Sequence, residues 1–526
     1  MNIHSLTHVF HLGNNAYRLL LLSFALVTLF SFGACTSEDD SNAYYLDAEH
    51  GNDTNNGKSP NKAWKSIDRL KQIKLNPGDQ ILFKRGNLFN GMIDLTAEGS
   101  AQCPIVIGAY GENEQKPIIS APDSSLFTIR ILNSSYVTVQ DLELVNHGSK
   151  DLASRTGIKL ESMDYGVSKG IHLNNLLIRD VNGVITKWDG GGSGILIING
   201  GKEIISTFDS LTIEYCHIKN CQRNAMIWGG YHDRQNWHPS TNVWVHHNLI
   251  EEVPGDGIVP IGCDGAIIEY NVMRHGVRNM LISNKEAAAG IWPWASDNTI
   301  IRFNESADHK GTWDGQGFDA DYNCSNTTIE YNYTHGNDGG LALICSSGGD
   351  DRSDWCVGTE RPILRYNISI GDGNRPHMTR GMWFSPIIHI AGPVRYTEIY
   401  RNIIHNKVKS SPEIDRRMIL ADSWGGYADS TLIKENIFYT PEVSSFDLGK
   451  STHNTLEGNY YVGKYSKLPN EKGIKTLAPE YAKIIADSGE DGLKQFLDSV
   501  TIASGEKCIF VNKNKIEAFF NQLQNK

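Results

Sequence analysis

Six short runs decide the fold: Ile267-Ile-Glu-Tyr-Asn271, Ile300-Ile-Arg-Phe-Asn304, Thr328-Ile-Glu-Tyr-Asn332, Ile363-Leu-Arg-Tyr-Asn367, Thr397-Glu-Ile-Tyr-Arg-Asn402 and Leu432-Ile-Lys-Glu-Asn436. Their closing asparagines are 33, 28, 35, 35 and 34 residues apart. Weaker copies end at Asn175, Asn248 and Asn459. A loose period of this size with variable insertions marks a solenoid. Helical repeats share the period, but here each unit is a short β-branched run broken by Asn and Gly. No helix-period pattern of ten or more residues accompanies it. A second strand in most coils begins with glycine: Gly194-Ile-Leu, Gly257-Ile-Val, Gly290-Ile-Trp, Gly317-Phe-Asp, Gly340-Leu-Ala and Gly381-Met-Trp. Stacked asparagines can hydrogen-bond along the axis, and Asn tolerates the left-handed turn between strands.

The 526 residues carry 51 glycines, only 17 prolines and a net charge of −11. Many turns and few kinks suit a β-rich chain large enough for a sizeable core. The charge gives no general basic footprint for nucleic acid, although a local Arg/Lys cluster can still hold an acidic polysaccharide.

Upstream of the coils, Tyr44-Tyr-Leu-Asp47 leads to the loop Gly51–Gly57, the short helix candidate Trp64–Leu70, and Pro77-Gly-Asp before a strand. This order and the Asn-ended runs resemble the right-handed parallel β-helix of the pectate-lyase-like superfamily, over roughly residues 44–465. The resemblance implies an all-β solenoid with an asparagine ladder. Residues 44–120 form an N-terminal cap and first coils, 121–465 the helix proper, and 466–526 a short helical C-terminal cap that plugs the core. Candidate cap helices are Pro479–Ile485, Leu493–Leu497 and Ile516–Gln524.

Leu19–Phe32 is an apolar run of signal-peptide length, ending in Phe32-Gly-Ala-Cys35. It resembles the lipobox of bacterial lipoproteins, with residues 1–34 removed and Cys35 lipidated. The acidic stretch Thr36–Asp40 in a 35–43 tether resembles the surface-export signal of Bacteroidetes lipoproteins. The resemblance implies an outer-membrane lipid anchor and a cell-surface location. The other eight cysteines match no zinc spacing and read as free buried thiols, with one or two disulfides open.

Chemistry is expected around Gly315-Gln-Gly-Phe-Asp-Ala-Asp-Tyr-Asn-Cys324. Strand alternation puts Asp319 and Asp321 on one face and Phe318 on the other, with Asp314 just before. Aligning coils on their strand-opening glycines gives an inward column of Ile291, Phe318, Leu341 and Met382. It gives an outward column of Trp292, Asp319, Ala342 and Trp383, with Trp294 level with Asp321. This is a groove with acids on its floor and indole walls, suited to sugar. The adjoining loops hold His275, Arg278, Lys285, Glu286, His309, His335, Asp338, His377 and Arg380. Asp319, Asp321, Asp314, His335 and Asp338 are the catalytic candidates; Trp292, Trp294, Trp383, Arg380 and Lys285 are the substrate-binding ones.

Three readings remain open. Paired carboxylates serve glycoside hydrolysis as acid and as base or nucleophile, with no cofactor required. A polysaccharide lyase would use Lys or Arg as base, with the acids holding calcium. A non-catalytic glycan-binding solenoid would keep only the tryptophans. In each case the partner is a polysaccharide or oligosaccharide, and a monomer suffices.

Overall fold

A computed structural model describes residues 42–526 apart from 188–189, 275–286, 312, 350–352, 380, 478–481, 484, 486–489, 505–507 and 525–526. The apolar run Leu19–Phe32, Cys35, and the site candidates His275, Arg278, Lys285, Glu286 and Arg380 lie outside the described residues.

The chain winds into a parallel β-helix. One sheet starts at Ala43–Leu46 and runs rung by rung to Thr455–Glu457, taking in five of the six Asn-ended runs as strands such as Ile267–Glu269, Ile300–Arg302 and Thr328–Glu330, and the sixth as Glu398–Tyr400. Rung pairs are parallel and in register, for example Ile268 with Ile301 and Ile301 with Ile329. The middle residues Ile268, Ile301, Ile329, Leu364, Ile399 and Ile433 are at most 1% exposed and form one column of the core. A β-branched residue fits such a column because its stiff side chain packs well on a pleated surface.

Eight asparagines form the ladder: Asn248, Asn271, Asn304, Asn332, Asn367, Asn402, Asn436 and Asn459. Each of the first seven donates Nδ2–H to the next Oδ1 at 2.9–3.1 Å. Asn175 is outside it, donating to Asp141 at the surface. In the ladder, the left-handed backbone belongs to the residue before the asparagine. Tyr270, Phe303, Tyr331 and Tyr366 have φ of 53–55°. Their rings stack from rung to rung at 5.0–5.3 Å between centroids, which offsets the cost of that conformation.

The described part of the C-terminal segment packs against the coils. Helices Glu490–Val500 and Lys513–Gln524, with the antiparallel pair Thr501–Ser504 and Cys508–Val511, lie along the side of the coils. Phe510 meets Tyr270 edge-on, Phe520 meets Tyr366, and Tyr331 donates its hydroxyl hydrogen to Glu517. The segment covers the aromatic stack that would otherwise face water. Near the N-terminus, the Trp64–Leu70 candidate is a 3-10 helix at Ile67–Gln72. Asp53 of the Gly51–Gly57 loop accepts from the backbone of Lys65 and Ser66. Among the described residues seven cysteines are free thiols, all buried except Cys508, which is partly so, and Cys103 is disulfide-bonded.

Candidate active site

The Gly-initiated strands stack closely. A Cβ on Gly257 would sit 2.3 Å from the carbonyl oxygen of Gly290, and one on Gly290 would sit 2.3 Å from that of Gly317. Glycine is therefore required here by backbone approach. Single bridges join Ile258 to Ile291 and Ile291 to Phe318. Trp292 and Asp319 thus occupy neighbouring rungs on the outward face, about 4.8 Å apart along the axis.

Beyond Asp319 the register departs from the glycine alignment. Strand Gln316–Ala320 pairs Phe318 with Ala342 and Asp319 with Leu343. The next strand is Ile388–Ala391, which puts His389 beside Leu343. Ala342 is a core residue, and Gly381 and Met382 are exposed on a loop. The outward column is Trp292, Asp319, Leu343 and His389. Trp383 is not in it; its carbonyl accepts from the Asp415 amide.

A cavity of about 330 Å³ opens over this column. Asp314, Asp319 and Asp321 line its floor; Trp292, Trp313 and Trp424 supply indole walls; Lys187, Arg375 and His389 reach in from the sides. Asp314 is in left-handed conformation at φ 52° and Gly315 follows at 79°. This turn swings the chain from Trp313–Asp314, paired with Ala287–Ala288, into strand Gln316–Ala320. Arg375, itself buried, donates to the carbonyls of Gly311 and Asp314 and fixes the turn.

The three acids differ in setting. Asp314 and Asp321 keep partial exposure, whereas Asp319 is 3% exposed. Burial lifts Asp314 above the usual carboxylate range against the pull of Lys187 and Arg375. Burial lifts Asp321 to about 6, opposed by hydrogen bonds from the Cys345 thiol and the Tyr322 amide. Both of those donors reach Oδ1 of Asp321, at 2.9 and 2.7 Å. Asp319 is raised well above its ordinary value by burial, then by the charges of Asp314 and Asp321. Burial also pushes the Cys345 thiol far up, so it serves as a hydrogen-bond donor.

Behind the wall, Asp256 is fully buried. Burial works to raise it, but Lys187 and Arg223 outweigh that and hold it low. It accepts from Trp292 Nε1 at 3.0 Å and from the Ala289 amide at 3.1 Å, and pairs with Arg223 at 3.0 Å. Lys187 stands 3.9 Å from the same carboxylate and 4.8 Å over the Trp292 ring. At the other end, His389 Nε2 is 2.9 Å from Asp422 Oδ1, its ring edge-on to Phe384 and Trp424.

Of the residues expected from sequence, the cavity gathers Asp314, Asp319, Asp321 and Trp292. His335 lies on another face, 3.2 Å from Glu305 and near the C-terminal segment. Asp338 is buried outside the lining, 3.4 Å from Lys310. Trp294 is partly buried against the core and stacks with His232. His377 is 3.2 Å from the Gly311 carbonyl. Lys187, Asp256, Trp313, Cys345, Arg375, His389, Asp422 and Trp424 were not anticipated. Only the Gly255-Asp256-Gly257 run, one rung before Trp292, repeats a visible signal.

A family model described as "Right handed beta helix region" matches residues 165–351. A lacto-N-biosidase from Bifidobacterium longum subsp. longum is 26% identical over 90% of this chain. The alignment takes in 34% of that relative, so the chain spans about a third of the curated protein it matches. Two crystal structures of a GH136 lacto-N-biosidase from Eubacterium ramulus share the fold. The first has a TM-score of 0.57 at 22% identity, covering 85% of this chain and 72% of that one. The second has a TM-score of 0.55 at 20% identity, covering 88% and 70%. This chain is thus a right-handed parallel β-helix similar to lacto-N-biosidases in sequence and in course of backbone.

Proposed function

We propose that the protein is a glycoside hydrolase of lacto-N-biosidase type, acting on oligosaccharides that contain lacto-N-biose. The observation that carries this reading is the pair of partly exposed acids, Asp314 and Asp321, in one indole-walled cavity. Hydrolysis of a glycosidic bond takes one protonated carboxyl and one carboxylate. Burial raises both groups, which suits proton donation near neutral pH. Lys187 counters the rise at both groups, and Arg375 adds to that at Asp314. Oδ1 of Asp321 is anchored twice, which leaves Oδ2 for the reaction. Trp292, Trp313 and Trp424 give apolar faces for sugar rings. The sequence similarity to a lacto-N-biosidase, over most of this chain, supports the substrate class.

The test is incubation with a lacto-N-biose-containing oligosaccharide and chromatography of the products. The expected result is release of free disaccharide, abolished in Asp314→Asn and Asp321→Asn. Proton NMR of the first-formed anomer then gives retention or inversion, which carboxylate spacing sets. Unsaturated uronide products from a uronate glycan, with no disaccharide release, would replace this reading with a lyase. We further propose lipidation at Cys35 and an outer-membrane, surface-facing location. Metabolic labelling with a clickable fatty acid, lost in Cys35→Ser, tests that.

A further inference from the structure

We propose that Asp319, together with Gln316 on the same strand, is the receptor for a polar hydrogen of the bound sugar, a hydroxyl or amide N–H, and is not one of the reacting carboxylates. This deepens the preceding reading of the cavity and rests on it.

Two observations carry the assignment. Asp319 Oδ1 and Gln316 Oε1 are buried oxygens without a hydrogen-bond partner among the described residues. Asp319 is 3% exposed and Gln316 2%, yet both line the cavity over the catalytic pair. A folded protein rarely leaves a buried acceptor unmet, so each such group calls for an explanation. Two of them along one strand, under one cavity, fit a site completed by the ligand. A site built to hydrogen-bond a substrate group rejects analogues that lack it, because its own polar atoms are then stranded.

The depth of Asp319 argues against a reacting role. A nucleophile or proton donor must meet the anomeric carbon or the glycosidic oxygen, and Asp314 and Asp321 are the acids that keep access. Charge agrees. Asp319 sits among Asp314, Asp321 and Asp256, whose repulsion and its own burial favour the neutral carboxyl. A neutral carboxyl offers both a donor and an acceptor to a sugar, as a buried acid does elsewhere when it donates to substrate oxygen.

The experiment separates binding from chemistry and has an arm that needs no substrate. With the disaccharide-releasing assay, Asp319→Asn is expected to raise KM severalfold and to lower kcat by less than about tenfold. Asp321→Asn is expected to lower kcat by more than about a thousandfold. Asp319→Leu should raise KM by about tenfold or more. In the ligand-free protein, Asp319→Leu and Gln316→Leu should each raise Tm by about 2 °C, since each removes a stranded polar atom. The proposal is overturned if Asp319→Asn loses kcat as severely as Asp321→Asn. It is also overturned if both leucine variants lower Tm, which would make the two residues structural. Should the wild type cleave no lacto-N-biose glycan, the enzymatic reading fails while the thermal arm still decides this one.

Discussion

Asn332→Ala should destabilise the protein far more than Asn175→Ala, although both close an Asn-ended run. Asn332 is fully buried in the ladder. Its Nδ2 donates to the Ile301 carbonyl at 2.9 Å and to Asn367 Oδ1 at 3.0 Å. Its Oδ1 accepts from the backbone and side-chain nitrogens of Asn304 at 2.9 and 3.1 Å. Alanine leaves the Asn304 backbone N–H without that acceptor and the Ile301 carbonyl without that donor. The Asn304 side chain keeps its bonds to the Ile268 and Arg302 carbonyls. Two stranded backbone groups at about 1–3 kcal/mol each, plus a small void, give a loss of roughly 3–5 kcal/mol. Asn175 is at the surface, with φ 50° and a bond to Asp141. Its replacement should cost no more than about 1 kcal/mol, mostly from alanine in a left-handed conformation. Urea unfolding of both variants, read as a midpoint shift at unchanged slope, measures the difference. Hydrogen exchange should localise it to the rungs of Ile301 and Ile329. Equal shifts for the two variants, or a loss below about 1 kcal/mol for Asn332→Ala, would refute the ladder as a stabilising device.

Asp256→Asn should leave Arg223 buried without its counter-charge and cost roughly 3–5 kcal/mol; an unchanged denaturation midpoint would contradict the pairing at 3.0 Å. Asp321 has a folded-state pKa of about 6, above its unfolded value, so the native state binds more protons between about pH 4 and 6 and stability falls as pH rises through that window. Asp321→Asn should therefore raise Tm at pH 7 and leave it nearly unchanged at pH 4; the opposite ordering in a calorimetric series would reverse the sign. Cys345→Ala removes a hydrogen bond that favours ionised Asp321, so the limb of the pH–kcat profile governed by Asp321 should move to higher pH and return with Cys345→Ser. Trp424→Ala should raise KM by about tenfold through loss of a stacking face, and unchanged KM would take this indole out of the substrate path.

What the sequence discloses and what it hides follow from range. The ladder and its core column are written locally: a β-branched pair, a left-handed residue and an asparagine recur in each rung, and each repeat serves the same contacts. Even there, sequence alone assigns the left-handed turn to the asparagine, because Asn is the residue that tolerates it best. The structure gives that turn to Tyr270, Phe303, Tyr331 and Tyr366, whose stacking depends on neighbours in other rungs. The site is another matter. Aligning the glycines of Gly317 and Gly340 is off by one residue, since Gly340 pairs with Gln316. A one-residue slip exchanges the faces of a strand, so Ala342 goes into the core and Leu343 and Cys345 face the cavity. The next strand, Ile388–Ala391, has no opening glycine and follows a long loop, and with it went His389.

The residues that close the cavity have no common period at all. Lys187, Arg375 and Trp424 come from connections of different length, brought together because successive coils emit their loops on the same side. A solenoid confines its repetition to the strands and leaves these connections free to vary. Chemistry can then be altered by loop exchange with the ladder untouched. The proposed catalytic pair sits at the junction of the two regimes: Asp321 directly follows a regular strand, and Asp314 stands in the left-handed turn that enters it. That is why the short run from Asp314 to Asp321 was visible as a candidate, while the cation, the thiol and the indoles that set its properties required the fold.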